Sequence, residues 1–524
     1  MKSNFSVLIM IVISSCLFLP LLRASDHGIN QDPIVKKFSY ETLSFYQKKL
    51  FDEFLTEEIP AGASIASILT DHTSIRTKTR LAEALLFRNH EGDKGQAAII
   101  LQWILANQNQ DEQSKYYGIW KTSISNDLLD QNWREFIGCD LIIIRHHYRS
   151  LLPAEIIGSI EKGLIHAAKG ALIRNVSAGY TNISIMSAFL MEYVGTEFKI
   201  DELKNAGLTK ARDIYTLYQK HHTWSEYNSP TYYGVALIGL ALWREFSFSS
   251  EMHDMGLYLE KEFWHEITTF YNPRLKNMAG PYFRGYGMDM KKYFAIVGIW
   301  IALALDDERS APLPSGDGPK YGEMSNLATI FHLGISIPRE DMTKLTTFTK
   351  SKYITRIIPN EYKGDSLKIV TATIHEDWMM GGLQGNRRIW NQIKAGTIHW
   401  LSEEGDIAWL LVPGDGKTNV VVDKNKMTIL KADQNLTSFE LCIYAKHIHP
   451  DRFSRGIWSL PGMQLKIKTG LPLPRVVEVP TQMLQSEYAL SEQLPYLIKL
   501  VFEVPPIWKS DKAMLQIRPK KTKL

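Results

Sequence analysis

Between residues 39 and 304, apolar side chains recur at three- and four-residue steps, the period of an amphipathic helix. Ala97, Ile100, Leu101, Ile104 and Leu105 form one stripe. Leu164, Ala167, Ala168 and Leu172 form a second, and Ile183, Met186, Leu190 and Tyr193 a third. Residues 233–243 and 293–305 depart from this pattern. They are apolar nearly all round, so each predicts a helix buried on every side. Amphipathic helices alternating with all-apolar ones predict two concentric layers, as in an α/α toroid. After a Pro/Gly/Ser-rich stretch at 310–319, the character changes beyond about residue 339. Residues 398–411, 419–430, 438–445 and 496–504 favour strands. Turn clusters such as Glu403-Glu404-Gly405-Asp406, Gly414-Asp415-Gly416 and Asp423-Lys424-Asn425 punctuate them. The expected fold class is therefore multidomain α+β. An N-terminal α/α toroid, an incomplete double-layer helical barrel, takes residues 25–335, and a C-terminal antiparallel β-sandwich takes 336–524.

The first 24 residues predict a signal peptide. Lys2 precedes an apolar run at 7–22 that Pro20 interrupts, and Ala24 precedes Ser25. This predicts a secreted or periplasmic protein. Ile13-Ser14-Ser15-Cys16 is similar to a bacterial lipoprotein box, so anchoring at Cys16 is the alternative. The other strongly apolar segment, 293–305, is too short to span a bilayer and ends in Asp306-Asp307-Glu308. No stable membrane insertion is expected after cleavage.

The 524 residues are 45% hydrophobic and 22% charged, an ordinary globular balance. The net charge of +4 is small and the basic residues are dispersed, which excludes a nucleic-acid-binding stripe. Beside Cys16 only Cys139 and Cys442 occur, enough for one disulfide and no framework. Paired CxxC and HExxH motifs are absent, and His447 and His449 alternate without a third ligand. No metal or cofactor is expected.

Candidate chemistry lies in polar, aromatic segments between the helices, where a rigid scaffold presents loops. Asn132 can hydrogen-bond a substrate oxygen and Trp133 can stack on a sugar ring; both also suit a capped helix start. Asn182 opens a helix, and its amide can face a substrate carboxylate. Asn175-Val176-Ser177 and Asn182-Ile183-Ser184 are also glycosylation sequons. The segment from Trp224 to Gly234 gathers Trp224, Glu226, Tyr227, Asn228, Tyr232 and Tyr233. The segment 280–290 carries Arg284, Tyr286 and Asp289. Arg284 can favour tyrosinate nearby or hold a carboxylate in fork geometry. His375 and His399, in the strand region, can reach over a cleft.

Asn132-Trp133 with Glu135, Ile137 and Gly138 resembles the Asn-Trp…Glu-Ile-Gly stretch of the chondroitin and hyaluronate lyases. Gly179-Tyr180-Thr181-Asn182 is similar to the loop carrying that superfamily's catalytic Asn. In the next family loop, a His and a Tyr precede a Gly; here Glu226 or Tyr227, then Tyr232 or Tyr233, precede Gly234. The resemblance spans about residues 132–305 and extends to heparinase II/III-like and alginate lyase-like proteins. It implies an α/α toroid joined to β-sheets and β-elimination on a polysaccharide containing uronic acid. Asn182, with Glu226, would neutralise the uronate carboxylate. Tyr232 or Tyr286 would move the proton, and Arg284 would hold the substrate. The family His is missing from the Trp224 loop, so His375, His399 or His221-His222 would replace it, or the chemistry differs. Two other readings stay open. A glycoside hydrolase would use Glu226 and Asp289 as paired carboxylates, and a glycan-binding protein would keep the cleft without the chemistry.

Overall fold

The structure is a computed structural model. It describes residues 32–71, 73–123, 129–314, 322–359, 367–385, 392–479, 483, 486–491 and 497–521. Pro33–Leu524 form one compact unit. The expected signal peptide and Cys16 lie outside the described residues.

The helices are α1 (Phe45–Glu58), α2 (Ile65–Thr70), α3 (Ile75–Arg88), α4 (Asp93–Ala106), α5 (Trp133–Tyr148), α6 (Ala154–Arg174) and α7 (Thr181–Glu197). Then follow α8 (Asp201–His221), α9 (Tyr232–Phe246), α10 (Ser250–Phe270), α11 (Ile296–Leu305), α12 (Asn326–Leu333) and α13 (Arg339–Thr346). Helices α3, α5, α7, α9 and α12 pack in series, and α12 returns to α3. Helices α4, α6, α8 and α10 back this series from outside and touch one another in order. This is the two-layer toroid.

Several polar groups sealed inside the ring are paired across helices, which offsets the cost of burying them. Arg80 on α3 reaches Asp140 on α5 at 3.1 Å, and Glu83 takes His332 at 2.9 Å and the Thr329 hydroxyl at 2.9 Å from α12.

The stripes on α4 and α6 face inward as expected, with Ala97, Ile100, Leu101, Ile104, Leu164, Ala167 and Ala168 inaccessible. Helix α7 corrects the amphipathic expectation, because it is buried all round. Two of its buried polar positions are hydrogen-bonded: the Ser184 hydroxyl donates to Thr181 O, and Glu192 accepts from Ser249 N. Helix α11 begins at Ile296, with Ala295 as its N-cap, three residues later than its apolar run. The start of the Pro/Gly/Ser-rich stretch is no free linker, since Ala311 and Leu313 are buried, Leu313 beside Gly298 of α11.

Short strands join the parts. β1 (Ile34–Lys36) pairs with β4 (Ile335–Ile337), and β2 (Tyr271–Asn272) with β3 (Asn277–Met278). The C-terminal strands are β5 (Lys352–Ile358), β6 (Lys368–Ile374), β7 (Trp378–Gln384), β8 (Lys394–Leu401), β9 (Ile407–Pro413), β10 (Thr418–Asp423) and β11 (Lys426–Lys431). They continue with β12 (Ser438–Tyr444), β13 (Ile457–Leu460), β14 (Met463–Thr469), β15 (Arg475–Glu478), β16 (Leu497–Glu503) and β17 (Leu515–Lys521). An antiparallel sheet ordered β15-β16-β12-β9-β8-β7-β6-β5 faces a second ordered β10-β11-β17-β14-β13. β10 lies over β6 and β7, which makes the sandwich. Cys139 in α5 and Cys442 in β12 are both buried and unpaired. Among the described residues no helix is long and apolar enough to cross a membrane.

The inner helices approach closely where glycine removes the side chain. A Cβ on Gly234 of α9 would stand 2.5 Å from the Ile296 carbonyl carbon and the Val297 nitrogen at the start of α11. Gly234→Ala is expected to destabilise the fold by about 1–3 kcal/mol. The loss would be read as a lower urea midpoint at unchanged slope; an unchanged midpoint would contradict this packing.

Candidate active site

The loop before α9 and the loop between β3 and α11 are laced together by backbone-directed bonds. Asn228, itself in left-handed backbone (φ 48°), donates through Nδ2 to Ala279 O (2.6 Å) and Pro281 O (3.0 Å). Ser229 Oγ donates to Arg284 O (2.7 Å) and accepts from Tyr232 N (3.0 Å). The second loop is then pinned to the sandwich. Tyr282 and Lys394 of β8 exchange backbone bonds of 3.1 and 2.8 Å, and Gly285 N donates to Gln392 O at 2.9 Å. Toroid and sandwich together thus position the segment that carries Arg284.

Arg284 is the hub. Its Nη1 donates to Glu226 Oε1 (3.1 Å), its Nη2 to the Tyr232 hydroxyl (2.9 Å) and its Nε to Gln392 Oε1 (2.9 Å), and its guanidinium lies 4.0 Å from the Tyr232 ring centroid. Glu226 Oε2 accepts from Asn182 N (2.8 Å), so the carboxylate also sits on the positive end of α7. Because an arginine only donates, Gln392 must turn its oxygen to Arg284 and its Nε2 to the Tyr286 hydroxyl, at 3.0 Å. Tyr232 and Tyr286 share a hydroxyl–hydroxyl bond of 2.9 Å.

The pair has two hydroxyl protons. One lies between the rings, and the other has no acceptor among the described residues. Burial holds the Tyr232 phenol above its ordinary pKa; Arg284 opposes this, while Tyr286 and Glu226 add to it. The expected tyrosinate beside Arg284 is therefore corrected, since desolvation outweighs the cation. Burial also works against the charge on Arg284, yet Tyr232, Glu226, Tyr180 and Tyr286 outweigh it, and its pKa lies above the ordinary value.

Asn182 is 1% exposed. Its Oδ1 accepts from Ile183 N, and its Nδ2 has no hydrogen-bond partner. Asn132 donates to the Tyr180 hydroxyl at 2.9 Å and accepts from Arg174 at 2.8 Å. Trp133 is 8% exposed, and the Arg76 guanidinium lies 5.5 Å from its ring.

Several expected site residues lie elsewhere. Trp224 is stacked on Phe263 (4.0 Å between centroids) and against Tyr218, so it is core and not a sugar platform. Tyr227 packs edge-on against Phe270 and Phe283, and Tyr233 donates to Glu266 at 2.7 Å; both are buried. Asn228 spends its amide on the loop. Asp289 accepts from Lys291 N in a turn and is buried, with its pKa raised by that burial. His375 is held by Ser351 and Asn425 and lies against Trp378, away from the Arg284 cluster. His399 is fully buried where β8 meets the 280–290 loop, its ring 6.2 Å from that of Tyr282, with its pKa lowered to about 3 by burial, so it is neutral there. Tyr180, Arg174 and Gln392 join the cluster without having been singled out. Gln392 lies 108 residues from Arg284, and no local motif marks it.

Removing Glu226 would leave Arg284 largely buried without its counter-ion; the two side chains are 3% and 11% exposed. Glu226→Ala is expected to cost about 3 kcal/mol of stability, measured by chemical denaturation. A change within experimental error would show that the pair does not organise the two loops.

The model of a family described as a domain of unknown function (DUF8769) matches residues 60–326, about half of the chain. No curated protein matches the sequence. Two solved structures align along most of the chain. One, described as the crystal structure of heparinase III, is 9% identical with a TM-score of 0.44, over 94% of this chain and 87% of that one. The other, a heparinase III-BT4657 gene product with methylated lysines, is 11% identical with a TM-score of 0.31, over 93% and 87%. By the family match, the chain belongs to the DUF8769 family.

Proposed function

We propose that this member of the DUF8769 family is a polysaccharide lyase that cleaves glycans containing uronic acid by β-elimination. The observation that carries this reading is the donor inventory around Arg284. Among the described residues, the site holds one buried amide donor with no acceptor, Asn182 Nδ2, and one unspent hydroxyl proton on the Tyr232–Tyr286 pair. A uronate supplies matching acceptors, a carboxylate and a glycosidic oxygen two carbons away.

In this scheme Asn182 bonds the uronate carboxylate and draws charge onto it, which acidifies the C5 proton. The tyrosine pair gives its unspent proton to the departing oxygen on C4 and takes the C5 proton. The C4–O bond breaks, the C4=C5 double bond forms, and the pair ends with the two protons it began with. Arg284 stabilises the tyrosinate character that develops in between. Glu226 holds Arg284 and α7 in place and does not exchange protons. That commitment weighs against hydrolysis, which needs one carboxyl free to donate and a second facing it; Glu226 has both oxygens engaged. An exported location suits a polymeric substrate, and the apolar run at residues 7–22 supports it.

The test is ultraviolet absorbance of unsaturated uronate, followed beside reducing ends, on a panel of uronate polysaccharides. Wild-type protein is expected to raise both. Asn182→Ala should lower turnover by about 10²–10³, and Tyr232→Phe by about 10²–10⁴, with both variants folded. Reducing ends without absorbance would overturn elimination in favour of hydrolysis. Silence in both assays with measurable binding would leave a glycan-binding protein.

A further inference from the structure

Glu135, on the first turn of α5, is fully buried, and neither carboxylate oxygen has a hydrogen-bond partner among the described residues. Arg174 of α6 stands beside it, with Nη1 3.5 Å from Oε2 and without a hydrogen bond to any described residue. The other end of that guanidinium, Nη2, holds Asn132 Oδ1, and Asn132 Nδ2 holds the Tyr180 hydroxyl. Tyr180 in turn feels Arg284 and Glu226. A carboxyl sealed from water without a hydrogen bond is costly unless something offsets it, and here it stands at the head of a chain that ends in the cleft.

We propose that Glu135 is a positioning residue that acts through Arg174 and Asn132 on Tyr180, and that Tyr180 is the substrate-binding arm facing Tyr232 across Arg284. This rests on the lyase reading of the same site. The charged groups facing Glu135 are Arg134 on its own helix, Arg174 on α6, Asp130 before α5 and Lys210 on α8. Burial raises the Glu135 carboxyl to about 7, while Arg134 and Arg174 oppose the rise. Because its folded pKa lies above the unfolded value, its contribution is fully present at low pH. It is lost as pH rises towards 7, where Glu135 ionises and Arg174 takes up its charge.

The experiment is a double-mutant cycle of Glu135→Gln and Tyr180→Phe, read as affinity for a uronate tetrasaccharide and as the pH profile of turnover. Each single variant is expected to weaken binding about tenfold, and the double variant to bind no worse than Tyr180→Phe alone. Glu135→Gln should also remove the inflection near pH 7. Additive losses, or a wild-type pH profile in folded Glu135→Gln, would overturn the proposal. Should Glu135→Gln fail to fold, the half-exposed Asn132→Ala replaces it in the same cycle.

If no uronate glycan is bound or cleaved, the lyase reading fails, and the Glu135–Arg174 link is read from stability instead. The unfolding midpoint of the wild type should fall relative to Glu135→Gln between pH 5 and 7, and more steeply in Arg174→Gln. A constant difference would overturn the link.

Discussion

The Arg284–Glu226 ion pair is the constraint on which the site depends. Two charges removed from water cost several kcal/mol each unless their remaining donors and acceptors are satisfied. Glu226 meets this with the Asn182 N–H at the start of α7, and Arg284 with Tyr232 and Gln392. The pair therefore cannot move without breaking bonds to α7, α9 and the start of β8. Its position fixes the tyrosine hydroxyls to within a hydrogen bond of one another.

The architecture explains why that arrangement is available. Helices α5, α7 and α9 begin on the same side of the toroid, so Asn132, Tyr180–Asn182 and Tyr232 converge from separate helix starts. The sandwich joins this cluster through the Tyr282–Lys394 bridge and Gln392. Neither half holds the full set of groups. A candidate site shared by a helical ring and two central strands of a sheet needs close docking. Gly381 of β7 provides it, because a Cβ there would collide with Gly280 O in the Arg284 loop.

Much of this layout was legible in the residue pattern. The stripes on α4 and α6 and the all-apolar α9 and α11 carry the two-layer ring. Strands β8 to β12 and β16 show in β-rich runs broken by turn clusters. Helix α7 misled because Ser184 and Glu192 look solvent-facing in a sequence, while the fold buries them on backbone partners. Strand β7, Trp-Met-Met-Gly-Gly-Leu-Gln, has no alternation because it is covered on both faces. In the candidate site, the loops were legible and their interior was not. Trp224 and Tyr233 read alike whether they meet a sugar or, as here, Phe263 and Glu266. Tyr180 and Gln392 are recruited by tertiary contacts that no spacing encodes.

On the lyase reading, the Arg284 cluster breaks a glycosidic bond without water. The direct measurement is mass spectrometry of uronate oligosaccharides digested in ¹⁸O-labelled water. Elimination predicts that the fragments together take up no water and that the newly formed ends carry no label when formed. One labelled oxygen per cleavage, with the fragments together heavier by one water, would contradict it.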